Sequence, residues 1–150
     1  MLKMQTKEVI SDYMDNYPKI TEYLKLTKAE LDTLHHDFEG EILERDTDSK
    51  LYAKLQEFDQ ATDVASECYD GEEPVATFME LGHDVEYFEE AYNGKWNSEL
   101  AYAEDLIDSC YDLEKLMGSL ASYFDYEKFA RDLFISDYSY SNGYVFNNYY

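Results

Sequence analysis

Residues Tyr138–Phe146, "YSYSNGYVF", decide between an all-helical chain and a mixed one. Asn142-Gly143 separates two runs of period-two aromatics. A two-residue Asn-Gly loop favours the left-handed turn that joins antiparallel strands. The stretch therefore predicts a β-hairpin. Working outward toward the N-terminus, Asp125 caps a predicted helix with Phe129, Ala130 and Leu133 inward. Ser98 or Asn97 starts another, which turns Ala103, Leu106, Ile107 and Cys110 inward and Glu104, Asp105, Asp108 and Asp112 outward. The preceding "NGKWN", Asn93–Asn97, reads as a turn. Asp84 caps a helix that buries Val85, Phe88 and Tyr92, and Pro74 opens a short helix to Leu81 that closes at Gly82.

Further toward the N-terminus the helical period continues. After the polar turn "RDTDSK", Leu51, Leu55, Phe58 and Ala65 face inward, while Asp59, Asp63 and Glu67 line another face. "TKAE", Thr27–Glu30, is a capping box opening a helix with Leu31, Leu34, Phe38 and Ile42 on its apolar side. Val9, Ile10, Tyr13, Met14 and Tyr17 form a stripe that stops at Pro18. The class is α+β, mostly helical, with a small C-terminal β element. The organisation is an N-terminal helical region, residues 1–66, followed by an acidic helical region with a closing helix and hairpin, residues 67–150. "ECYDGEE" and "SCYDLEK" are alike locally, without a sustained repeat.

The charge is as informative as the period. The chain carries a net charge of −22, yet is 45% hydrophobic and 17% aromatic, so it is built for a core and is no disordered acidic tail. Nucleic acid and anionic membrane would both repel it, which leaves a basic surface as the natural partner. Residues 1–54 hold 12 acids and 8 bases, residues 55–114 hold 18 acids and one base (Lys95), and residues 115–150 hold 4 acids and 3 bases. The charge is thus a central block. From Glu67 to Gly94 there is no lysine or arginine beside Glu67, Asp70, Glu72, Glu73, Glu80, Asp84, Glu86, Glu89 and Glu90.

A solvated face does not require so complete an absence of counter-charge. Carboxylates three or four positions apart on a helix stand about 5–6 Å from one another. Asp59/Asp63, Glu80/Asp84, Glu86/Glu90, Glu104/Asp108 and Asp108/Asp112 are read as such negative rows. Duplex DNA offers about one charge per 1.7 Å of axis. A groove that selects phosphates by Coulomb attraction would accept these rows as well, so the block is read as a DNA-like surface that binds a protein.

Other chemistry fits poorly. Asp46, Asp48 and Glu57 stand at positions 1, 3 and 12 of a calcium loop, but Lys50 and Leu51 occupy positions that need an oxygen ligand and a glycine. His35 and His36 are adjacent and point apart on a helix, and His83 is isolated. No base stands beside a Ser or Cys nucleophile, and no glycine-rich phosphate loop occurs. No enzyme, metal or cofactor is expected. Cys68 and Cys110 read as reduced thiols, with a disulfide as the alternative. No signal-peptide core or membrane-length apolar run is present, so a cytoplasmic location is expected. Tyr138, Tyr140, Tyr144, Tyr149 and Tyr150 read as a packed hairpin rather than an interface patch.

"YFDYEKFARDLFISDYSYSNGYVF", Tyr123–Phe146, resembles the C-terminal part of the ArdA antirestriction family, and "VEYFEEAYNGKWNSELAYAEDLIDS" is similar to its acidic middle region. The likeness extends from near Asp70 to Phe146. Residues 1–65 read as helices, where the family usually begins with a small β-containing domain. The resemblance implies a protein of a phage or mobile element in a bacterial host. It also implies an elongated, often dimeric fold that mimics bent DNA in the DNA site of type I restriction–modification enzymes. By this likeness Asp125, Glu127, Asp132 and Asp137 match positions of the family pattern, with capping or pairing to Arg131 as their structural alternative. Two further functions stay open. The N-terminal departure admits an anti-CRISPR inhibitor that blocks a basic PAM-binding cleft. The charge alone admits an acidic interaction module that imitates nothing.

Overall fold

A computed structural model describes residues 6–36, 42, 44 and 47–150, and the chain divides into two units, Met1–Phe88 and Glu89–Tyr150. Among the described residues there are nine α-helices and one three-stranded antiparallel sheet, so the chain is mostly helical with a small β element.

In the first unit, Thr6 Oγ1 accepts from Val9 N at 3.2 Å and opens α1, Lys7–Asn16, which buries Ile10 and Met14. α1 ends before Pro18, as expected, and Pro18 takes the first turn of a second helix, α2, Pro18–Leu24, where its missing N–H costs nothing. The Thr27–Glu30 capping box is present, with both reciprocal bonds, but α3 spans only Lys28–Leu31. The long helix expected through Ile42 does not form. Thr33 Oγ1 bonds the Glu30 carbonyl at 2.7 Å, the backbone tightens into i to i+3 bonds, and His36 forms an isolated bridge with Ile42. Such side-chain competition for backbone carbonyls is a usual way for a short helix to end. Phe38 lies outside the described residues.

Asp48 caps α4, Ser49–Glu67, by accepting from Lys50 N at 3.0 Å and Leu51 N at 3.1 Å. Leu51, Leu55, Phe58, Ala61, Thr62 and Ala65 are its buried stripe. The Thr62 hydroxyl donates to the Phe58 carbonyl at 2.9 Å, which lets a polar residue sit in that stripe. α5, Glu73–Glu80, is buried from Pro74 to Met79 and packs against α2 and α4. Phe78 is fully buried, its ring stacked on His83 and edge-on to Phe88. Residues 67–88 fall within the first compact unit, where α5 packs.

Asp84 caps a 3-10 turn, Val85–Tyr87, and α6 follows at Phe88–Ala91. Tyr92 was expected to extend this helix and "NGKWN" to be a turn. Instead Tyr92–Lys95 is a strand, β1, with Tyr92 opposite Phe146 and Lys95 opposite Tyr144. The register shifts between those pairs, at Gly94 with φ +93°, as a bulge requires.

The second unit continues with α7, Glu99–Cys110, capped by Ser98, then α8, Leu113–Met117, a 3-10 segment, Gly118–Tyr123, and α9, Tyr126–Ser136, capped by Asp125. The expected hairpin follows as β2, Tyr138–Ser141, and β3, Tyr144–Asn147, with Asn142 and Gly143 both at positive φ. The sheet order is β1-β3-β2, so β3 is central and buried throughout. Tyr102, Tyr138 and Val145 form the core, with Trp96, Leu106, Leu133, Phe134 and Tyr140 packed on it. Cys110, expected inward, is exposed at the helix end, while Tyr102 is buried. Of the predicted α9 stripe only Ala130 is buried, while Phe129 and Leu133 are half-buried. Tyr138 and Tyr144 are buried, as a packed hairpin requires.

Candidate protein-binding surface

The acidic residues are where burial of the opposite face leaves them. On α4, Asp63 and Glu67 are exposed and Asp59 is half-buried, away from the Leu51–Ala65 stripe. In the loop that follows, Asp70 and Glu72 are half-buried and Glu73 is exposed in the first turn of α5, where its charge suits the helix N-terminus. Glu80, Asp84, Glu86, Glu89 and Glu90 are all exposed. In the second unit, Glu104, Asp105 and Asp108 are exposed on α7 opposite Tyr102, Ala103 and Ile107, and Asp112 is exposed beyond it.

Only some of the expected rows lie on one helix. Asp59/Asp63 and Glu104/Asp108 do. Glu80 ends α5 while Asp84 is an extended cap, Glu86 sits in a 3-10 turn while Glu90 is in α6, and α7 stops at Cys110 before Asp112. Several acids also hold the fold. The Glu72 carboxylate accepts from Lys19 N at 3.0 Å and Ile20 N at 3.4 Å, at the start of α2. Asp84 accepts from Glu86 N at 2.9 Å, Asp112 from Lys115 N at 3.2 Å, and Asp125 from Lys128 N at 3.0 Å. Asp125 is thus a cap, Asp137 is the C-cap of α9, and Glu127 and Asp132 are exposed.

Tertiary structure adds crowding that spacing does not reveal. Glu57 on α4 has its carboxyl pushed up, first by partial burial and then by the charge of Asp84. The Tyr23 phenol on α2 is pushed up by burial, then by Glu57 and Glu80. Three elements, α4, α5 and the Asp84 turn, therefore bring carboxylates together beside Tyr23 in the first unit. Glu57 was read only as a failed calcium ligand; its contribution to this crowding depends on α4 packing near the Asp84 turn. By contrast, the ion pairs Lys7–Asp32, Lys28–Asp15 (2.7 Å) and Lys54–Glu30 (3.1 Å) lie in the mixed-charge segment before residue 55.

Among the described residues, no group of three His, Cys, Asp or Glu side chains is placed to hold a metal ion. The calcium-loop spacing falls on helical residues from Ser49 onward, with Leu51 buried; Asp46 lies outside the described residues. His35 is exposed and His36 half-buried at its bridge. Among the described residues no helix is long and apolar enough to cross a membrane.

The pattern of the Antirestriction protein (ArdA) family matches residues 3–146. The chain belongs to the ArdA family. The match reaches well beyond the Asp70–Phe146 likeness and takes in the helical N-terminal region. No curated protein and no solved structure matches the chain. ArdA-family membership makes it an antirestriction protein, of a family of inhibitors of type I restriction–modification.

Proposed function

We propose that this ArdA-family protein works as a DNA mimic, occupying the basic DNA-binding cleft of a type I restriction–modification enzyme in the bacterial cytoplasm. The observation that carries this is the near-absence of bases from residues 55–114, 18 acids to one, with most of those acids on exposed faces. A cleft tuned to phosphates gains from each carboxylate it meets, and the protein repels DNA itself. The anti-CRISPR alternative drew on an N-terminal region outside the family; the match from residue 3 removes that ground. The acidic-module alternative binds a basic protein without competing with DNA for its cleft.

The α7 row offers a clean test, because Glu104, Asp105 and Asp108 are exposed and cap nothing. Glu104→Gln with Asp105→Asn and Asp108→Asn should weaken inhibition of a type I enzyme by about tenfold at low salt. The fold should hold or gain slightly, since like charges four apart cost about 0.2–0.5 kcal/mol. Unchanged inhibition by the triple variant would reduce this row to a solvated face.

The protein is also proposed to act as a homodimer through residues 113–123. Neither α8 nor the 3-10 segment after it has a buried residue, and Leu116, Leu120 and Tyr123 are 67%, 59% and 81% exposed. This segment holds one acid and one base, so its own net charge does not oppose the meeting of two copies.

A further inference from the structure

Tyr69 is fully exposed, yet the loop carrying it is closely built. Cys68 N donates to the Ala65 carbonyl at 3.2 Å to end α4, and Gly71 N donates to the Cys68 carbonyl at 3.1 Å, closing the turn around Tyr69. Gly71 holds φ +81°, which a side chain would strain. Glu72 anchors the far end through its bonds to the start of α2. The ring is therefore presented on a fixed support, which lowers the ordering cost of any contact it makes.

Its setting selects the partner. Besides the anchoring Glu72, Glu67, Asp70 and Glu73 lie within four positions of Tyr69, with no base in the stretch. The face of an aromatic ring is electron-rich and attracts a cation, arginine more often than lysine. A guanidinium is flat and weakly hydrated, and presents N–H groups at its edge that carboxylates accept. Clefts that grip phosphate are rich in arginine for the same planar, bidentate geometry. We infer that Tyr69 is a contact residue of the inhibitor, its ring stacking on an arginine guanidinium of the target's cleft while the flanking carboxylates take the guanidinium edge. This rests on the proposed occupation of a basic cleft, and adds an aromatic component that a phosphate backbone lacks.

The experiment is an affinity measurement with a purified type I restriction–modification enzyme, for the parent and for Tyr69→Ala, Tyr69→Phe and Tyr69→Leu, between about 50 and 200 mM salt. Melting temperatures of all four are recorded alongside. Tyr69→Ala should bind about tenfold more weakly with an unchanged melting temperature. Tyr69→Phe should retain the parent affinity, and Tyr69→Leu should fall with Tyr69→Ala because it lacks a π face. The salt slope should stay that of the parent in every variant, as no charge is removed. Parent-like affinity for Tyr69→Ala overturns the contact while leaving the DNA-mimic proposal standing, and recovery by Leu as well as Phe overturns the guanidinium stacking. If the parent itself does not bind, the cleft proposal fails and this inference with it.

Discussion

At the scale of the residue, Glu57 carries the cost of so much like charge. Its carboxyl is raised above its usual 4.5 by partial burial and by Asp84, so the fold favours its protonated form. A raised carboxyl contributes stability below its unfolded value and loses it as pH climbs through the folded one. At neutral pH Glu57 is therefore a burden, and Glu57→Gln should raise the melting temperature. Solvent screening holds the gain to about 0.2–0.5 kcal/mol. The gain should fade as pH falls through 4.5 and both states become protonated; a gain that persists or grows there would contradict the cause assigned to it. The identity of Glu57 as an acid was plain in the sequence. Its neighbours were not, because Asp84 and Tyr23 reach it through the packing of separate elements. The exposed acids of α7, in contrast, could be read directly from the position of Ala103 and Ile107.

At the scale of the element, legibility followed local signals. Ser98 and Asp125 announced helix starts because a capping bond is made within three residues. Asn142-Gly143 announced the hairpin because the turn demands positive φ at both residues. β1 was missed since its four residues look like a turn, and its strand character comes from β3, about fifty positions later. The helix after Thr27 was overestimated because its capping box fixes a start and says nothing of an end. The α8 segment is the element with the most to test. Leu116→Glu with Leu120→Glu should convert a dimer to a monomer in sedimentation at micromolar concentration, with little loss of melting temperature, since neither side chain is buried. A parent that sediments as a monomer would remove residues 113–123 as a self-association surface.

At the scale of the whole molecule, three stretches of unequal charge share one chain, and only the central one is almost without bases of its own. The Lys54–Glu30 pair illustrates the difference. Burial pushes the Glu30 carboxyl up, but the bonds from Lys54 and Thr27 outweigh it and hold it below its usual value. The central block accepts repulsion instead, which is intelligible if a partner supplies the missing cations. On the proposed mimicry, that partner's site is filled by DNA or by this protein, never by both. The decisive measurement is the affinity of the protein for a purified type I restriction–modification enzyme, free and preloaded with its specific duplex, in the same buffer. The account predicts tight binding to the free enzyme, binding to the preloaded enzyme reduced in proportion to DNA occupancy, and no binding to duplex alone. Equal affinity for the two forms, with the duplex still bound, would contradict it.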